Sequence, residues 1–513
     1  MKKIQIIVTL CLSFFILQAE AQSKFCTSDL DTLPILAGGR VKPLFVHAKE
    51  SLKFLGEVES ATTKDLNPTM SYCFLSLEGF GFPNDLVLKV KVEHEKARSY
   101  LNMPANEKLI EMKALVAQSD RLKSEITTLK LNDSYKKELT KLWNKIDLYN
   151  NITSGADWKI AEGDPIVWKT LPEFLTQEKM QGMRTEGISL IQNLFKKSQT
   201  DFQKKAGDHY LLELTYVKLH FFGIAMGLVL LTLCILVLVK NIKVAYPFVA
   251  LSLLTQVVAI TMRVMISGRA PITNMYETVM FSGFGAATIA LVISLFRKEK
   301  IYIIAGLSYN FLCLLMMTFA NQMLNSAIAP LVPVLRDNFW LSTHVTMVIL
   351  SYAALALSWV LANITMIKRR FGHMSDDDFR YNVDLAYTCI KVGVVMLSAG
   401  VILGGVWADY SWGRFWGWDP KETWSLIVLL IYMAILHGKG TSWINTHKFN
   451  FFVAGAFMSV MMAWFGVNYI LASGLHSYGF SEGGAIFLGT FFLLQIVLLG
   501  ICATPKGGTT QAT

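Results

Sequence analysis

The sequence predicts an all-α protein: a polytopic membrane bundle of about nine transmembrane helices, preceded by a mostly helical extracytoplasmic domain. Three observations carry this prediction. Of the 513 residues, 53% are hydrophobic, and the mean hydropathy of +0.41 is too high for an ordinary soluble protein. The apolar residues cluster into long runs after residue 218, and a polar region with helical periodicity precedes them. A short apolar run opens the chain.

The opening run has the pattern of a secretory signal peptide. Lys2 and Lys3 precede apolar residues 4–17, and Ala19-Glu20-Ala21 follows as a cleavage site. We expect cleavage after Ala21. An uncleaved anchor is the alternative, and it would leave the next segment on the same side. The predicted regions are a signal peptide over 1–21, an extracytoplasmic helical domain over 22–218, a transmembrane domain over 219–502 and a cytoplasmic tail over 503–513.

The polar region reads as helical. Apolar residues recur at three- and four-residue steps within 106–149, as one helix face requires, and 172–205 is a further helical stretch. Cys26 and Cys73 are the only cysteines of this region and could pair, although two cysteines are weak evidence for a disulfide. The chain has no C-x-x-C, which argues against a dithiol oxidoreductase and against a c-type cytochrome.

Nine apolar runs are long enough to cross about 30 Å of hydrocarbon as helices. With residues 22–218 outside, the inside loops carry more than twice as many Lys and Arg as the outside loops, in agreement with the positive-inside rule. This bias explains much of the +10 net charge, so we do not expect nucleic acid as a partner. The runs are approximately 219–239, 244–262, 278–296, 301–320, 341–366, 384–406, 421–437, 449–472 and 484–502.

A tryptophan-rich segment, residues 412–424, lies in the outside break between the sixth and seventh runs. Five of the twelve Trp residues fall between Trp407 and Trp424. Aromatic faces beside fixed charges suit a large planar ring with acidic groups, such as heme. The alternative is an aromatic belt that anchors helices at the interface, but a belt does not explain the embedded carboxylates. The residues that we assign to this binding surface are Trp412, Trp416, Trp418, Asp419, Glu422 and Trp424.

Two histidines lie on the same predicted outer face. His344 opens the fifth run and His476 follows the eighth, so the two imidazoles could ligate a heme iron from opposite sides. For either one alone, an interfacial hydrogen-bonding residue is the simpler interpretation. His437 ends the seventh run on the inside, where it either faces water or serves a function within the membrane.

The outside loop over 267–277 carries three polar residues at a membrane edge: Arg269, Asn274 and Glu277. It is either an ordinary turn with a helix-capping Asn or a loop packed under the tryptophan-rich segment. In the second interpretation Arg269 would pair with a heme propionate, because guanidinium groups suit carboxylates.

These segments together resemble the cytochrome c assembly proteins, and closely the CcsA (or ResC) branch. The resemblance rests on Trp412-Gly-Arg-Phe-Trp-Gly-Trp-Asp-Pro-Lys-Glu-Thr-Trp424, on the loop from Gly268 to Glu277, and on His344, His437 and His476. It covers about residues 245–500. It implies that heme b is moved across the bacterial inner membrane and presented on the tryptophan-rich segment. The thiols of a C-x-x-C-H apocytochrome c would then form thioethers with it.

The resemblance also implies partners. A ResB/CcsB-like membrane protein usually completes the synthase (heme lyase), and a thiol-reducing protein keeps the apocytochrome reduced; membrane lipid surrounds the bundle. No segment of residues 1–218 resembles a ResB-like module. Whether His220, at the outer end of the first run, replaces that module's histidine is left open by the sequence. Residues 33–43 are similar to a segment ahead of the CcsA part in fused forms. The alternative functions are a heme carrier that loads a chaperone without ligation, and a scaffold or channel.

Overall fold

The computed structural model describes residues 26–60, 67–78, 86–104, 106–129, 134–175, 188–239, 242–320, 323–331, 333–372, 374–471 and 484–503. The predicted signal peptide, His476 and nearly all of the predicted tail lie outside these ranges. The chain divides into two compact units, Met1–Leu219 and His220–Thr513.

The N-terminal unit is mostly helical, as predicted. A 3₁₀ turn covers Ser28–Thr32. Its helices are Leu44–Leu55, Pro68–Glu78, Glu95–Tyr100, Met112–Val116, Ser119–Thr128, Ser134–Thr153, Leu171–Phe174, Ile188–Ala206 and Leu211–Leu219.

Two small antiparallel sheets join these helices, and the sequence analysis did not predict them. The first has the strand order β2 (Arg40–Pro43), β1 (Pro34–Ala37), β6 (Lys159–Glu162) and β7 (Val167–Thr170), and the second has the order β3 (Glu57–Ser60), β4 (Leu86–Lys91) and β5 (Leu109–Glu111). The predicted helical stretch over 106–149 therefore begins with a strand, and its first helix starts at Met112.

The possible pairing of Cys26 with Cys73 is confirmed: the two form a disulfide with both side chains fully buried. A polar cluster lies beside it, in which the Tyr72 hydroxyl donates to Asp157 Oδ2 (2.6 Å) and His47 Nε2 lies 2.8 Å from the same oxygen. Burial works to raise the pKa of Asp157, but His47, Tyr72 and the charge of Lys159 together hold it below its ordinary value.

The nine predicted membrane helices are confirmed within the described residues. Spans 5 and 6 are longer than predicted, with 34 and 37 residues; a 37-residue helix is about 55 Å long, so span 6 extends well past the hydrocarbon. Spans 1 to 9 are Phe221–Leu238, Ile242–Ser267, Met275–Arg297, Lys300–Phe319, Asn338–Phe371, Asp376–Trp412, Pro420–Gly440, Thr446–Leu471 and Gly484–Cys502.

Buried polar side chains link the spans in pairs. Asn310 Nδ2 donates to Gln256 Oε1 (3.0 Å), and Gln256 Nε2 donates back to Asn310 Oδ1 (3.3 Å), which joins spans 2 and 4. Gln495 of span 9 accepts from Trp359 Nε1 (2.9 Å) and donates to Asn363 (3.1 Å), both on span 5. Because lipid offers no hydrogen bonds, such matched pairs stabilise and orient helix contacts.

Candidate functional site

An open cavity of about 1300 Å³, including the part open to solvent, lies at one end of the membrane unit. Spans 3, 5, 6, 7 and 8 contribute to it, together with the loop before span 3 and the tryptophan-rich segment. The cavity thus brings together residues that are far apart in sequence, from Ile272 to Asn468. Six of the lining residues are Asn274, His344, Trp412, Trp416, Lys421 and Glu422.

His344 lies in a π-helical stretch, Leu341–Val345, inside span 5. Its Nδ1 is 2.8 Å from the carbonyl oxygen of Gly400 on span 6. A carbonyl can only accept, so Nδ1 carries the proton and the ring lone pair is on Nε2. Histidines that bind metals are oriented in this way, by a hydrogen bond from the second ring nitrogen.

Gly404 makes room for this imidazole. A Cβ atom at Gly404 would lie 2.6 Å from His344 Cε1, closer than van der Waals contact allows. Trp407, one turn further along span 6, makes an edge contact with the same ring at 5.7 Å between centroids. Span 6 therefore positions the imidazole in three ways. The Gly400 carbonyl accepts its hydrogen bond, Gly404 leaves space for the ring, and the Trp407 indole packs against it.

The two carboxylates of the tryptophan-rich segment build the turn that begins span 7. Asp419 is the N-cap and accepts from the backbone N–H of Lys421 (3.0 Å). Glu422 Oε2 accepts from the N–H groups of Gly417 (2.7 Å) and Asp419 (3.2 Å), which completes a capping box. Arg414 lies 3.3 Å from the other oxygen of Glu422. Both carboxylates thus shape the segment, and Glu422 also lines the cavity.

Trp418 lies between the two N–H groups that Glu422 holds. Its φ is +56°, in the left-handed region that bulky residues rarely adopt, and its side chain is 70% exposed. The rings of Trp416 and Trp418 meet edge to face at 6.0 Å. Trp412 and Trp416 line the cavity, whereas Trp418 and the half-buried Trp424 are not among its lining residues. The segment therefore divides its indoles between the cavity wall and the outer surface.

The loop before span 3 also divides its polar residues. Asn274 lines the cavity and caps span 3 by accepting from Glu277 N–H (2.9 Å). Glu277 is buried against Arg263, and Arg269 Nη2 donates to the carbonyl of Ala329 (2.6 Å). Neither Arg269 nor Glu277 lines the cavity, so their assignment to ligand binding stays a prediction. Among the described lining residues, Lys421 is the one Lys or Arg.

His437 lies in span 7, about 22 Å along the helix from Glu422, and therefore well away from the cavity. Its imidazole is exposed on the surface of the unit, and its Nδ1 lies 2.8 Å from the carbonyl of Met433. His476 lies outside the described residues, so its place relative to His344 stays a prediction.

Comparison with known proteins identifies the family of this chain. The family model of the Cytochrome C assembly protein matches residues 272–476. The chain is 32% identical over 268 residues to the "Cytochrome c biogenesis protein CcsA" of Guillardia theta, covering 47% of this chain and 87% of that protein. It is 34% identical over 248 residues to the CcsA of Chlamydomonas reinhardtii, covering 47% of this chain and 70% of that protein. This chain belongs to the CcsA family.

The matched region contains the cavity and its imidazole, and the residues present fit a planar acidic ligand such as heme. Indole and aliphatic side chains supply apolar faces, His344 supplies an oriented ring nitrogen, and Lys421 supplies a positive charge. In this CcsA-family member the cavity thus combines an aromatic wall with one imidazole, one ammonium and one carboxylate, those of His344, Lys421 and Glu422.

Several cavity residues escaped the sequence analysis. Gly404 was missed because glycines are common in membrane helices, and its role depends on span 5 lying against span 6. Trp464 and Asn468 lie in a second π-helical stretch, Met462–Leu471, where Trp464 Nε1 donates to Thr278 (3.1 Å). Asn468 offered a signal, since an amide inside an apolar run needs a partner; its Nδ2 donates to the Trp464 carbonyl (2.6 Å).

Proposed function

We propose that this protein is the heme-handling subunit of a cytochrome c synthase and acts in cytochrome c biogenesis. The observation that carries the proposal is the oriented imidazole of His344 within the aromatic cavity. Membership in the CcsA family supports it, since the relatives named above are cytochrome c biogenesis proteins. The substrate would be heme b, together with an apocytochrome c that carries C-x-x-C-H.

Each part of the cavity has a distinct role in this proposal. His344 would hold the iron of the substrate, and the indoles of Trp412 and Trp416 would hold the ring face. Lys421 would pair with a propionate, the role that the sequence analysis gave to Arg269. Heme supplies vinyl groups, and each cysteine thiol of the apocytochrome would add across one of them, with the sulfur bonding to one vinyl carbon and the proton going to the other. The protein's own contribution would be positioning and exclusion of water, since holding the reactants in a reactive orientation lowers the barrier.

The exposed surface of span 7 supports a membrane partner. His437 places a polar ring on the outside of an apolar helix, where lipid would offer no hydrogen bond to Nε2, the ring nitrogen that does not contact the Met433 carbonyl. A ResB/CcsB-like protein that covers this surface would enclose the imidazole. A thiol-reducing protein would act on the apocytochrome at the outer face. The N-terminal unit and the tryptophan-rich segment would both lie outside the bacterial inner membrane, as the loop charges predict.

Replacement of the imidazole tests this proposal. Wild-type protein purified from heme-replete cells should show the Soret band of low-spin heme, and His344→Ala and His476→Ala should reduce it and block maturation. Added imidazole should restore part of the heme band in His344→Ala, because it can fill a vacant axial site. His373→Ala, in the predicted inside loop, is the control and should match wild type.

Two results would change the conclusion. A normal heme spectrum and normal holocytochrome levels in His344→Ala would remove the ligand role of this residue. Wild-type protein that binds heme and passes it to an acceptor without thioether formation, when reduced apocytochrome and the partner are present, would favour the carrier function.

A further inference from the structure

A second cavity lies at the end of the membrane unit remote from the tryptophan-rich segment. On span 5 alone, Arg370 is about 39 Å along the helix from His344. The cavity has a volume of about 270 Å³, including its open part, and the ends of spans 5, 6, 8 and 9 surround it. Its lining residues are Met366, Arg369, Arg370, Phe379, His447, Asn450 and Cys502.

Two arginines and one histidine line the cavity, and no acidic side chain is among its lining residues. Arg370 Nε donates to the carbonyl of Ile501 at the end of span 9 (3.1 Å). Arg369 donates to Asp376 (2.5 Å) and to the carbonyl of Met374 (2.8 Å). A guanidinium has five N–H donors, so each arginine has donors beyond these contacts. Such a lining favours an anion with several acceptor oxygens.

The arginines need a ligand that accepts hydrogen bonds, whereas Asn450 needs a ligand that donates one. Its side chain is 1% exposed, and Nδ2 donates to the carbonyl of Ala362 (3.1 Å). That carbonyl can only accept, so the orientation of the amide is settled. Asn450 Oδ1 is buried and has no hydrogen-bond partner within the described part of the chain. A buried acceptor without a donor is destabilising, so this cavity suits a ligand that also donates a hydrogen bond.

We propose that this cavity binds a phosphate group that carries a hydroxyl, and specifically the glycerophosphate headgroup of an anionic phospholipid. The phosphate oxygens would accept from Arg369, Arg370 and His447, and a headgroup hydroxyl would donate to Asn450 Oδ1. Basic pockets between membrane helices bind anionic headgroups in this way.

The surroundings favour a lipid over free phosphate. The cavity lies among the ends of four spans, and Met366 and Phe379 give it an apolar wall. Ile367 and Phe371 on span 5 are 41% and 64% exposed, and Ile501 on span 9 is 46% exposed. Ile367 and Phe371 are near Arg370 in sequence, and Ile501 supplies the carbonyl that accepts from Arg370. Acyl chains could therefore lie against these three side chains while the headgroup enters the cavity. A bound headgroup would tie span 5 to span 9.

Lipid retention tests the proposal directly. The full-length protein, delipidated in detergent, is mixed with phosphatidylglycerol, phosphatidylmethanol or phosphatidylcholine, and bound lipid is counted by native mass spectrometry. We expect phosphatidylglycerol to be retained best. Phosphatidylmethanol has the same charge without a headgroup hydroxyl, and it should bind about fivefold more weakly, the factor for one lost hydrogen bond. Arg370→Gln should abolish the preference for phosphatidylglycerol over phosphatidylcholine.

Matched variants separate the need for positive charge from the need for a headgroup hydroxyl. Lys300→Gln removes one exposed charge at another helix end and should behave like wild type. Asn450→Leu should bind phosphatidylglycerol and phosphatidylmethanol equally; if it fails to fold, the wild-type comparison of the two lipids carries this part. If wild type binds phosphatidylglycerol and phosphatidylmethanol equally, then water donates to Asn450 Oδ1, and the proposed contact with a headgroup hydroxyl is wrong.

Two further outcomes concern the phosphate itself. Equal retention of phosphatidylglycerol and phosphatidylcholine by wild type, or an unchanged preference in Arg370→Gln, overturns the lipid site. Stabilisation of wild type by inorganic phosphate, lost in Arg370→Gln and without any lipid preference, would reassign the cavity to free phosphate.

Discussion

Arg263 Nε lies 2.7 Å from Glu277 Oε1, and the two side chains are 0% and 1% exposed. The other carboxylate oxygen accepts from the backbone N–H (2.7 Å) and hydroxyl (2.6 Å) of Thr273, which lines the first cavity. Arg263 Nη1 also donates to the carbonyl of Ser326 (3.0 Å). This buried ion pair therefore fixes the wall that the loop before span 3 gives to the cavity.

Breaking one side of this pair should destabilise the protein strongly. Arg263→Met or Glu277→Met alone leaves a buried charge without its counterpart, so we expect a loss of about 3–5 kcal/mol. The double variant leaves no buried charge and should lose clearly less than the sum of the two. Thermal unfolding in detergent measures this, and additive losses would contradict it. Since Thr273 loses its acceptor in the double variant, heme retention should still fall.

Gly404→Ala should weaken heme binding without unfolding span 6. The new Cβ would lie 2.6 Å from His344 Cε1, so the imidazole must tilt, and such overpacking costs about 1–3 kcal/mol. We expect at least a fivefold loss of heme retention and a partial change from low-spin to high-spin absorption. Gly489→Ala on span 9 meets nothing within 4 Å and is the matched control. An unaltered spectrum in Gly404→Ala would show that His344 does not depend on this gap.

Trp418→Gly should maintain or raise the stability of the fold while lowering cytochrome c maturation. The left-handed conformation costs an L-residue about 1–2 kcal/mol, and glycine avoids most of that cost. The exposed indole would be lost at the same time. Trp443 is also highly exposed but does not have a positive φ, so Trp443→Gly should not gain stability. A large drop in melting temperature for Trp418→Gly alone would mean that the indole supports the fold.

Cysteine labelling should locate the two ends of the bundle. The exposed Cys234 is first replaced by Ser. In intact cells with a permeable outer barrier, Ser411→Cys near the tryptophan-rich segment should react with a membrane-impermeant thiol reagent, and Ser442→Cys should react only after lysis. The reverse pattern would place the first cavity inside the cell and remove the proposed site of ligation.

The N-terminal unit should lose stability in acid through Asp157. Its pKa is held below the ordinary value in the folded state, so its stabilising contribution is full above about pH 4 and disappears as the pH falls through the folded pKa. Asp157→Asn should therefore cost about 2 kcal/mol at neutral pH and flatten this acid dependence. Hydrogen exchange over Leu44–Leu55 and Pro68–Glu78 reports the change. The exposed Glu107→Gln is the control, and equal acid profiles in wild type and Asp157→Asn would refute the role of Asp157.

The membrane half of the fold could be predicted because hydrocarbon permits few structures: long apolar runs must be helices. The short strands of the N-terminal unit could not, because β5 has only three residues and sits inside an apparent helix periodicity. Its strand pairing depends on β4, about 20 residues earlier, which local sequence does not reveal.

Some of the residues assigned from the sequence line the first cavity, and others lie elsewhere. Sequence indicated that Asn274, His344 and Trp416 share one face, and the structure gathers them around one cavity. It did not indicate that Glu277 would form an ion pair with Arg263, because a buried charge needs an opposite charge close to it in the folded structure, and sequence alone does not show which residues become neighbours. Nor did it distinguish Lys421 from Arg269 as the cation nearest the cavity, since both lie at predicted outer edges.

The π-helical stretch at Leu341–Val345 makes the site depend on the number of residues as well as on their identity. A π-helical turn accommodates about one residue more than an α-helical turn. Loss of one residue there would leave a membrane helix with nearly the same hydropathy, and all its other side chains would be unchanged. However, successive residues of a helix are rotated by about 100° around its axis. A deletion would therefore rotate the side chains before it relative to the side chains after it. Two proteins that align with a single gap in this stretch can therefore share every motif residue and still present His344 in different directions.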